Sequence, residues 1–285
     1  MSNIIIIGSG PAGISAALYA KRSGVETSVI SMGTGTLEKA HLIENFYGQL
    51  TPISGEALHQ QGVAQAKALG IDVIDAEVLG ITFEDKLNVV TKEQTYPADA
   101  VIIATGQKRN APKIPGISQF EGAGVSYCAT CDGFFHRGKD VAVLGNGLFA
   151  IHEAEYLSGI ASSVTILTDG QPAPENLPEN IQFNTKKIKE LTGETLISSV
   201  IFEDETSISI TGFFVATGSA GSSDFARKIG AMTEGNRIIV NEDMMTNVPG
   251  LFACGDCTGG MLQVAKAVYE GAQAGTNASK YVKKL

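Results

Sequence analysis

No apolar run in this 285-residue chain approaches the ~20 residues that span a bilayer, which excludes a membrane-spanning helix. The aliphatic run near the start, Ile4–Ile7, is too short for the core of a secretory signal and enters a glycine turn at once, so a cytoplasmic protein is expected. Basic residues are scarce: 21 Lys and Arg against 30 Asp and Glu leave a formal net charge of −9. That balance argues against non-specific nucleic-acid binding, which runs on basic surface. The four histidines, His41, His59, His136 and His152, lack the spacing of metal ligands, and no metal site is expected of them. There is no tryptophan and no low-complexity tail.

Two C-x-x-C pairs account for all four cysteines, Cys128/Cys131 and Cys254/Cys257. In a cytoplasmic protein that spacing points to redox chemistry or metal more often than to a structural disulfide. Glycine is abundant, at 33 residues, which suits tight turns and close approach of backbone to a ligand.

The hydrophobic pattern predicts an α/β fold with two dinucleotide-binding openings. In the first, an apolar strand at Ile4–Ile7 meets Gly8-Ser9-Gly10-Pro11-Ala12-Gly13, a helix over Ile14–Arg22 and a second strand over Val25–Ser31. In the other, a strand at Asp140–Leu144 meets Gly145-Asn146-Gly147-Leu148-Phe149-Ala150, a helix over Ile151–Ser158 and a strand over Val164–Leu167. Each opening is followed by an apolar strand ending in Ala-Thr-Gly, at Ala104-Thr105-Gly106 and at Ala216-Thr217-Gly218. The order predicts two Rossmann-like (FAD/NAD(P)-binding) domains, the second inserted in the first, with the crossovers near Pro112–Pro115 and Asn247–Pro249. The boundaries expected are 1–114 plus 246–285 for the outer domain and 115–245 for the inserted one.

In Gly8–Gly13 each glycine has a role: Gly8 for the tight turn, Gly10 for approach of backbone to a pyrophosphate, Gly13 for close helix–strand packing. The helix N-terminus then presents free N–H groups to the anion. The acidic residue that usually ends the second strand is missing; Ser31 or Met32 stands there, so ribose recognition must differ or use water. A second cofactor contact is expected at Gly255-Asp256, whose carboxylate can hold a cofactor hydroxyl, ahead of a turn at Gly259-Gly260 and a helix over Met261–Tyr269. Cys128-Ala129-Thr130-Cys131 is the redox candidate: the spacing lowers one thiol pKa and places the other sulfur to resolve a mixed disulfide. Asp132 directly after it is a candidate proton donor or acceptor. The competing reading, a zinc site shared with Cys254/Cys257, conflicts with the Gly-Asp that this second pair brackets. Cys254 is expected to be inert beside a cofactor.

These motifs, in this order, resemble those of the low-molecular-weight thioredoxin reductases. The shared parts are Gly8–Gly13, Glu44-Asn45-Phe46, Ala104-Thr105-Gly106, Cys128-Ala129-Thr130-Cys131-Asp132-Gly133, Gly255-Asp256 through Gly260, and Gln263-Val264-Ala265. The resemblance implies FAD in the outer domain, with Asn45, Asp256, Gln263 and Ala265 near the flavin. It implies a redox pair on the inserted domain, with Cys131 toward the flavin and Cys128 exchanging with thioredoxin, and a homodimer.

The inserted domain departs from the NADPH-dependent pattern. Leu148-Phe149 stand where Asp or Asn then Ser or Thr would follow the glycines, setting two bulky apolar side chains where a pyrophosphate would bind. Thr168-Asp169-Gly170 replaces the cations that would hold a 2′-phosphate, and no Lys or Arg lies between Ile160 and Thr185. This pattern is similar to the clostridial-type ferredoxin-dependent flavin thioredoxin reductases, which implies reduced ferredoxin as electron donor. Docking an acidic ferredoxin needs local basic patches, for which Lys108, Arg109 and Lys113, or Lys186, Lys187 and Lys189, are candidates. Two alternatives stand beside this: an NADH-dependent reductase using Asp169 for the ribose 2′-OH, and a flavin redox sensor without turnover, against which the intact C-x-x-C-Asp speaks.

Overall fold

The computed structural model describes all residues except 1, 34, 41, 107–111, 128, 175–176, 218–221 and 236. In chain order the elements are β1 (Asn3–Ile7), α1 (Pro11–Arg22), β2 (Glu26–Ser31), α2 (Gly55–Ala68), β3 (Asp72–Asp75), β4 (Val78–Phe83), β5 (Leu87–Thr91), β6 (Thr95–Ala98) and β7 (Ala100–Ile103). They continue as β8 (Val125–Ser126), α3 (Ala129–Asp132), β9 (Asp140–Leu144), α4 (Leu148–Ser158), β10 (Ser163–Leu167), β11 (Gln182–Asn184), β12 (Ile188–Gly193), β13 (Ile197–Phe202), β14 (Ser207–Ser209) and β15 (Gly212–Val215). The last are α5 (Ser222–Lys228), β16 (Thr233–Glu234), β17 (Arg237–Ile238), β18 (Leu251–Ala253) and α6 (Val264–Val282). Among the described residues no helix is long and apolar enough to cross a membrane.

Two compact units result, Met1–Lys108 with Gly221–Leu285, and Arg109–Ala220. In the first, a parallel sheet runs β18-β7-β1-β2-β3. β1 pairs with strands on both sides, and Ile4–Ile7 are all buried, as a strand covered on both faces requires. Helices α1 and α6 lie close because α6 presents glycines: a Cβ on Gly271 would fall 2.1 Å from Ala12 O, and one on Gly275 2.2 Å from Ala16 O. The second unit repeats the plan with a parallel sheet β11-β10-β9-β15-β8. Each unit also carries a three-stranded antiparallel sheet, β4-β5-β6 and β12-β13-β14. The α/β fold with two Rossmann-like units, one inserted in the other, is therefore present.

The boundaries lie elsewhere than the turn signals suggest. Pro115 O accepts the Leu191 amide within the second unit. The segment Asn247–Gly250 is a tight turn into β18, with Leu251 N donating to Val248 O and Thr246 Oγ1 accepting from Val248 N. The outer unit recovers the chain earlier, at residue 221, because α5 packs on β4 and β17 on the turn at Gly255–Thr258. Helix ends differ too: α1 begins at Pro11, since proline is well suited to a first helical position, and α6 begins at Val264 instead of Met261.

Candidate functional site

In an open parallel sheet, ligands meet the carboxyl ends of the strands. There the outer unit collects the expected cofactor residues. β1 ends at Gly8, whose amide donates to Ile30 O on β2 at 2.9 Å. β7 ends at Ala104-Thr105-Gly106, the Ala104 amide donating to Ile7 O at 2.8 Å, and β18 ends at Cys254, whose amide donates to Ile103 O at 3.0 Å. The glycines are sterically required: a Cβ on Gly13 would lie 1.8 Å from Gly8 O, and one on Gly8, at φ +109°, would lie 2.5 Å from Ala104 O. Gly10 faces open space, with nothing within 4 Å of where its Cβ would be. It is the N-cap of α1, without a side-chain cap and without an acidic residue in the first turn, so the amides after Pro11 stay available to an anion. An open, uncapped glycine cradle of this shape fits a dinucleotide pyrophosphate.

Gly255-Asp256 joins the cradle directly. Gly255 has φ +83°, and a Cβ there would lie 2.7 Å from the Ala12 side chain. Burial raises the Asp256 pKa, with Lys266 opposing and Glu270 adding to the rise. Asn45 Nδ2 donates to Gln263 Oε1 at 3.0 Å, although 218 residues separate them. Gln263 is the N-cap of α6, and Val264 and Ala265 open its first turn. At the end of β2, where an acidic residue is missing, Ser9 Oγ donates to Ser31 Oγ at 2.9 Å and lies 2.9 Å from His59 Nε2. His59, read from sequence only as a histidine without metal spacing, thus reaches the glycine loop from α2; burial lowers its pKa.

Cys128 and Cys131, the pair expected to be redox-active, belong to the second unit. Cys128 is outside the described residues, as is the side chain of Cys131, whose backbone lies in α3. Around them the Ala129 amide donates to Glu153 Oε2 of α4 at 3.1 Å, and Ser126 Oγ donates to Asp132 Oδ2 at 2.6 Å. Glu153 is buried. An open cleft of ≈ 330 Å³ is lined by Ser126, Asp132, Phe135, His136 and Lys139 among others. His136 is fixed by Thr211 Oγ1 at 3.1 Å and by edge-on contact with Phe214. Its pKa is lowered, first by burial and then by Lys139, with Asp132 opposing. Phe134 and Phe135 are exposed, at 67% and 70%.

Cys254 and Cys257 are free and fully buried. The Cys257 thiol donates to the backbone oxygens of Cys254 and Ile103. Burial pushes the Cys257 pKa up to about 12 and that of Cys254 well above its ordinary value, so neither forms a thiolate at neutral pH. Among the described residues no group of three or more His, Cys, Asp or Glu could hold a metal ion.

The second glycine turn copies the first: Gly145 N donates to Leu167 O, and a Cβ on Gly145 would lie 2.3 Å from Ala216 O. The helix after it differs from expectation. Leu148 is half-buried at the start of α4, but Phe149 is fully buried. Neighbouring helical side chains point in different directions, and the phenyl ring fills the core instead of the anion position. Asp169 Oδ1 accepts the Ile188 amide at 2.8 Å. Of the basic candidates, Lys186 pairs with Asp204, Lys187 with Glu203 and Lys189 with Glu205, so that patch is neutralised by its own strand neighbours. Lys113 is exposed; Lys108 and Arg109 lie outside the described residues.

Residues 2–271 match the family described as pyridine nucleotide-disulphide oxidoreductase. A thioredoxin reductase of Peptoclostridium acidaminophilum is 33% identical over 305 residues, covering 98% of this chain and 96% of the relative. Among solved structures, the atypical thioredoxin reductase TRi from Desulfovibrio vulgaris Hildenborough matches with TM-score 0.93 and 38% identity, over 100% of this chain and 99% of that one. A ferredoxin-flavin thioredoxin reductase from Clostridium acetobutylicum matches with TM-score 0.74 and 30% identity, over 99% and 98%.

Proposed function

The chain belongs to the pyridine nucleotide-disulphide oxidoreductase family and, within it, to the low-molecular-weight thioredoxin reductases, and from that membership we propose a thioredoxin reductase that uses FAD, the Cys128/Cys131 pair and electrons from reduced ferredoxin. The observation that carries the choice of donor is the bond from the Ile188 amide to Asp169. The carboxylate that a nicotinamide nucleotide's ribose would need is already engaged by backbone, and no cation lies between Ile160 and Thr185 to replace it. Leu148 adds an apolar side chain at the head of α4, where it offers a phosphate no hydrogen bond.

In this reading Gly8, Gly10, Pro11, Ala12 and Gly13 hold the FAD pyrophosphate by backbone at the head of α1. Asp256 takes a ribityl hydroxyl. Asn45 and Gln263 fix one another beside the flavin, with Ala104, Thr105, Gly106, Gly255, Val264 and Ala265 as backbone walls. Ser31, bonded through Ser9 to His59, takes the ribose in place of a carboxylate. FAD, when bound, supplies the two-electron reduction that opens the Cys128–Cys131 disulfide. Cys128 then attacks the thioredoxin disulfide, and Cys131 releases the mixed disulfide by forming the bond back to Cys128. Asp132, held by Ser126, gives and receives the protons of that exchange. The exposed Phe134 and Phe135, next to the pair, offer thioredoxin an apolar landing. The reading includes a homodimer.

Anaerobic bleaching of the flavin tests it. Purified protein is mixed separately with NADPH, NADH and reduced ferredoxin, then with oxidised thioredoxin. Bleaching by ferredoxin alone, reversed by thioredoxin, is expected. Rapid bleaching by either nicotinamide nucleotide would overturn the choice of donor.

A further inference from the structure

The loop from Gly255 to Gly260 carries Asp256 between β18 and α6 and turns through three glycines with positive φ, Gly255, Gly259 and Gly260. Glycine leaves the backbone free to adopt many conformations, so such a loop needs bonds to fix it. The buried Cys257 and the packing of β17 hold part of it, and two side chains of α6 tie down the backbone on either side of Asp256. Lys266 Nζ donates to Gly255 O at 2.8 Å, to Thr258 Oγ1 at 3.0 Å and to Gly259 O, and lies 3.0 Å from Glu270 Oε2. Glu270 Oε2 in turn accepts the Gly255 amide at 2.8 Å and lies 2.8 Å from Thr258 Oγ1. Thus the carbonyl of Gly255 is held by the lysine and its N–H by the glutamate, immediately before Asp256. Both side chains are only 13% exposed.

Helix energetics do not account for this pair. Lys266 sits in the first turn of α6, the end of a helix dipole that disfavours a cation. Lysine preceding glutamate by four residues is also the weaker order for a helical ion pair. The ammonium is explained by the loop oxygens, which surround it as they would a bound cation.

We infer that Lys266 and Glu270 are positioning residues for the flavin site, a clamp that fixes the Gly255–Gly260 loop and thereby aims the Asp256 carboxylate. The inference rests on the FAD reading given above and adds two residues that touch no cofactor themselves. An apolar side chain at position 266 takes the lysine donor from the Gly255 and Gly259 carbonyls and the cation from the Glu270 carboxylate, leaving Thr258 and the Gly255 amide to tie the loop, so the loop loosens and Asp256 loses its place.

The test uses the full chain, stripped of flavin, as wild type, Lys266→Met, Lys266→Ala and Glu270→Gln. FAD affinity is read by quenching of flavin fluorescence, the geometry of the bound flavin by visible circular dichroism, and folding of the apoprotein by far-ultraviolet circular dichroism. Expected is a Kd at least tenfold higher for Lys266→Met, a smaller rise for Glu270→Gln and an altered visible dichroism in both, with apoproteins that remain folded. Propylammonium chloride is expected to recover most of the affinity of Lys266→Ala, and tetramethylammonium chloride at equal ionic strength is not. Should Lys266→Met fail to fold, the Glu270→Gln titration and the ammonium rescue decide. Wild-type affinity and dichroism in the folded variants would overturn the clamp alone. A wild-type protein that takes up no FAD would overturn the flavin site and the clamp together.

Discussion

Asp169 Oδ1 accepts the amide hydrogen of Ile188 at 2.8 Å, and Asp169 itself stands at φ 51°. Asp and Asn tolerate that left-handed conformation better than other side chains. The buried Ile188 amide has its partner here, so removing the carboxylate leaves a donor unsatisfied. Asp169→Ala is expected to lower unfolding free energy by about 1–3 kcal/mol in urea titrations. Asp169→Asn, which keeps an acceptor oxygen and the conformation, should cost less. Neither variant should change the response of the flavin to NADH; a lost NADH response in Asp169→Ala would show that the carboxylate serves a nucleotide.

Leu148 and Phe149 are adjacent, yet their surroundings separate them. The Phe149 ring is fully buried and Leu148 only half-buried. Phe149→Ala should therefore cost about 3–5 kcal/mol, as a large core truncation does. Leu148→Ala should cost less than about 1 kcal/mol. Chemical denaturation of the two variants checks this; equal costs would mean that both side chains face the same way.

The plan of the fold was readable because its signals are local. Two glycine turns after apolar strands, and two strands ending in Ala-Thr-Gly, each announce their own element, and the parallel sheets follow from them. What escaped the sequence depends on where distant segments meet. Nothing near Asn45 or Gln263 predicts their hydrogen bond, and His59 gains meaning only when α2 brings it to Ser9. Lys266 and Glu270 carried a faint signal, a cation at the wrong end of a helix, that only the loop carbonyls explain. The direction of Phe149 was lost because a motif aligned by position carries no information on which face a helical side chain takes. The boundary near residue 221 was lost because α5 is a seven-residue helix without a strong pattern, and the prolines downstream mark a turn.

His59 offers a pH test of the glycine loop. Its ordinary pKa is 6.5, and burial lowers the folded value. Well above pH 6.5 the imidazole is neutral in folded and unfolded chains alike and contributes no pH dependence. As pH falls below 6.5 the unfolded chain takes up the proton first, so folding weakens until the lowered folded pKa is reached. The thermal midpoint of wild type should drop relative to His59→Gln between about pH 7 and about pH 5. Parallel curves for the two proteins would mean that His59 titrates freely and is not bound to Ser9.

Asp132 is the carboxylate closest in sequence to Cys128 and Cys131, and Ser126 Oγ donates to it at 2.6 Å. The bond orients one carboxylate oxygen and leaves the group beside an open cleft, where protons can be exchanged with an attacking or leaving thiol. An amide in its place keeps the shape and can still accept from Ser126, but cannot carry a proton. Asp132→Asn is expected to lower thioredoxin turnover by at least about 100-fold, the smaller end of what a positioned acid–base group contributes. The FAD content and flavin spectrum should stay as in wild type, because no FAD contact is assigned to this residue. Ser126→Ala, which removes the hydroxyl that orients Asp132 and leaves the carboxylate in place, should cost far less. Turnover in Asp132→Asn within a few-fold of wild type would remove Asp132 from the exchange and leave solvent, or the nearby His136, as the carrier of the protons.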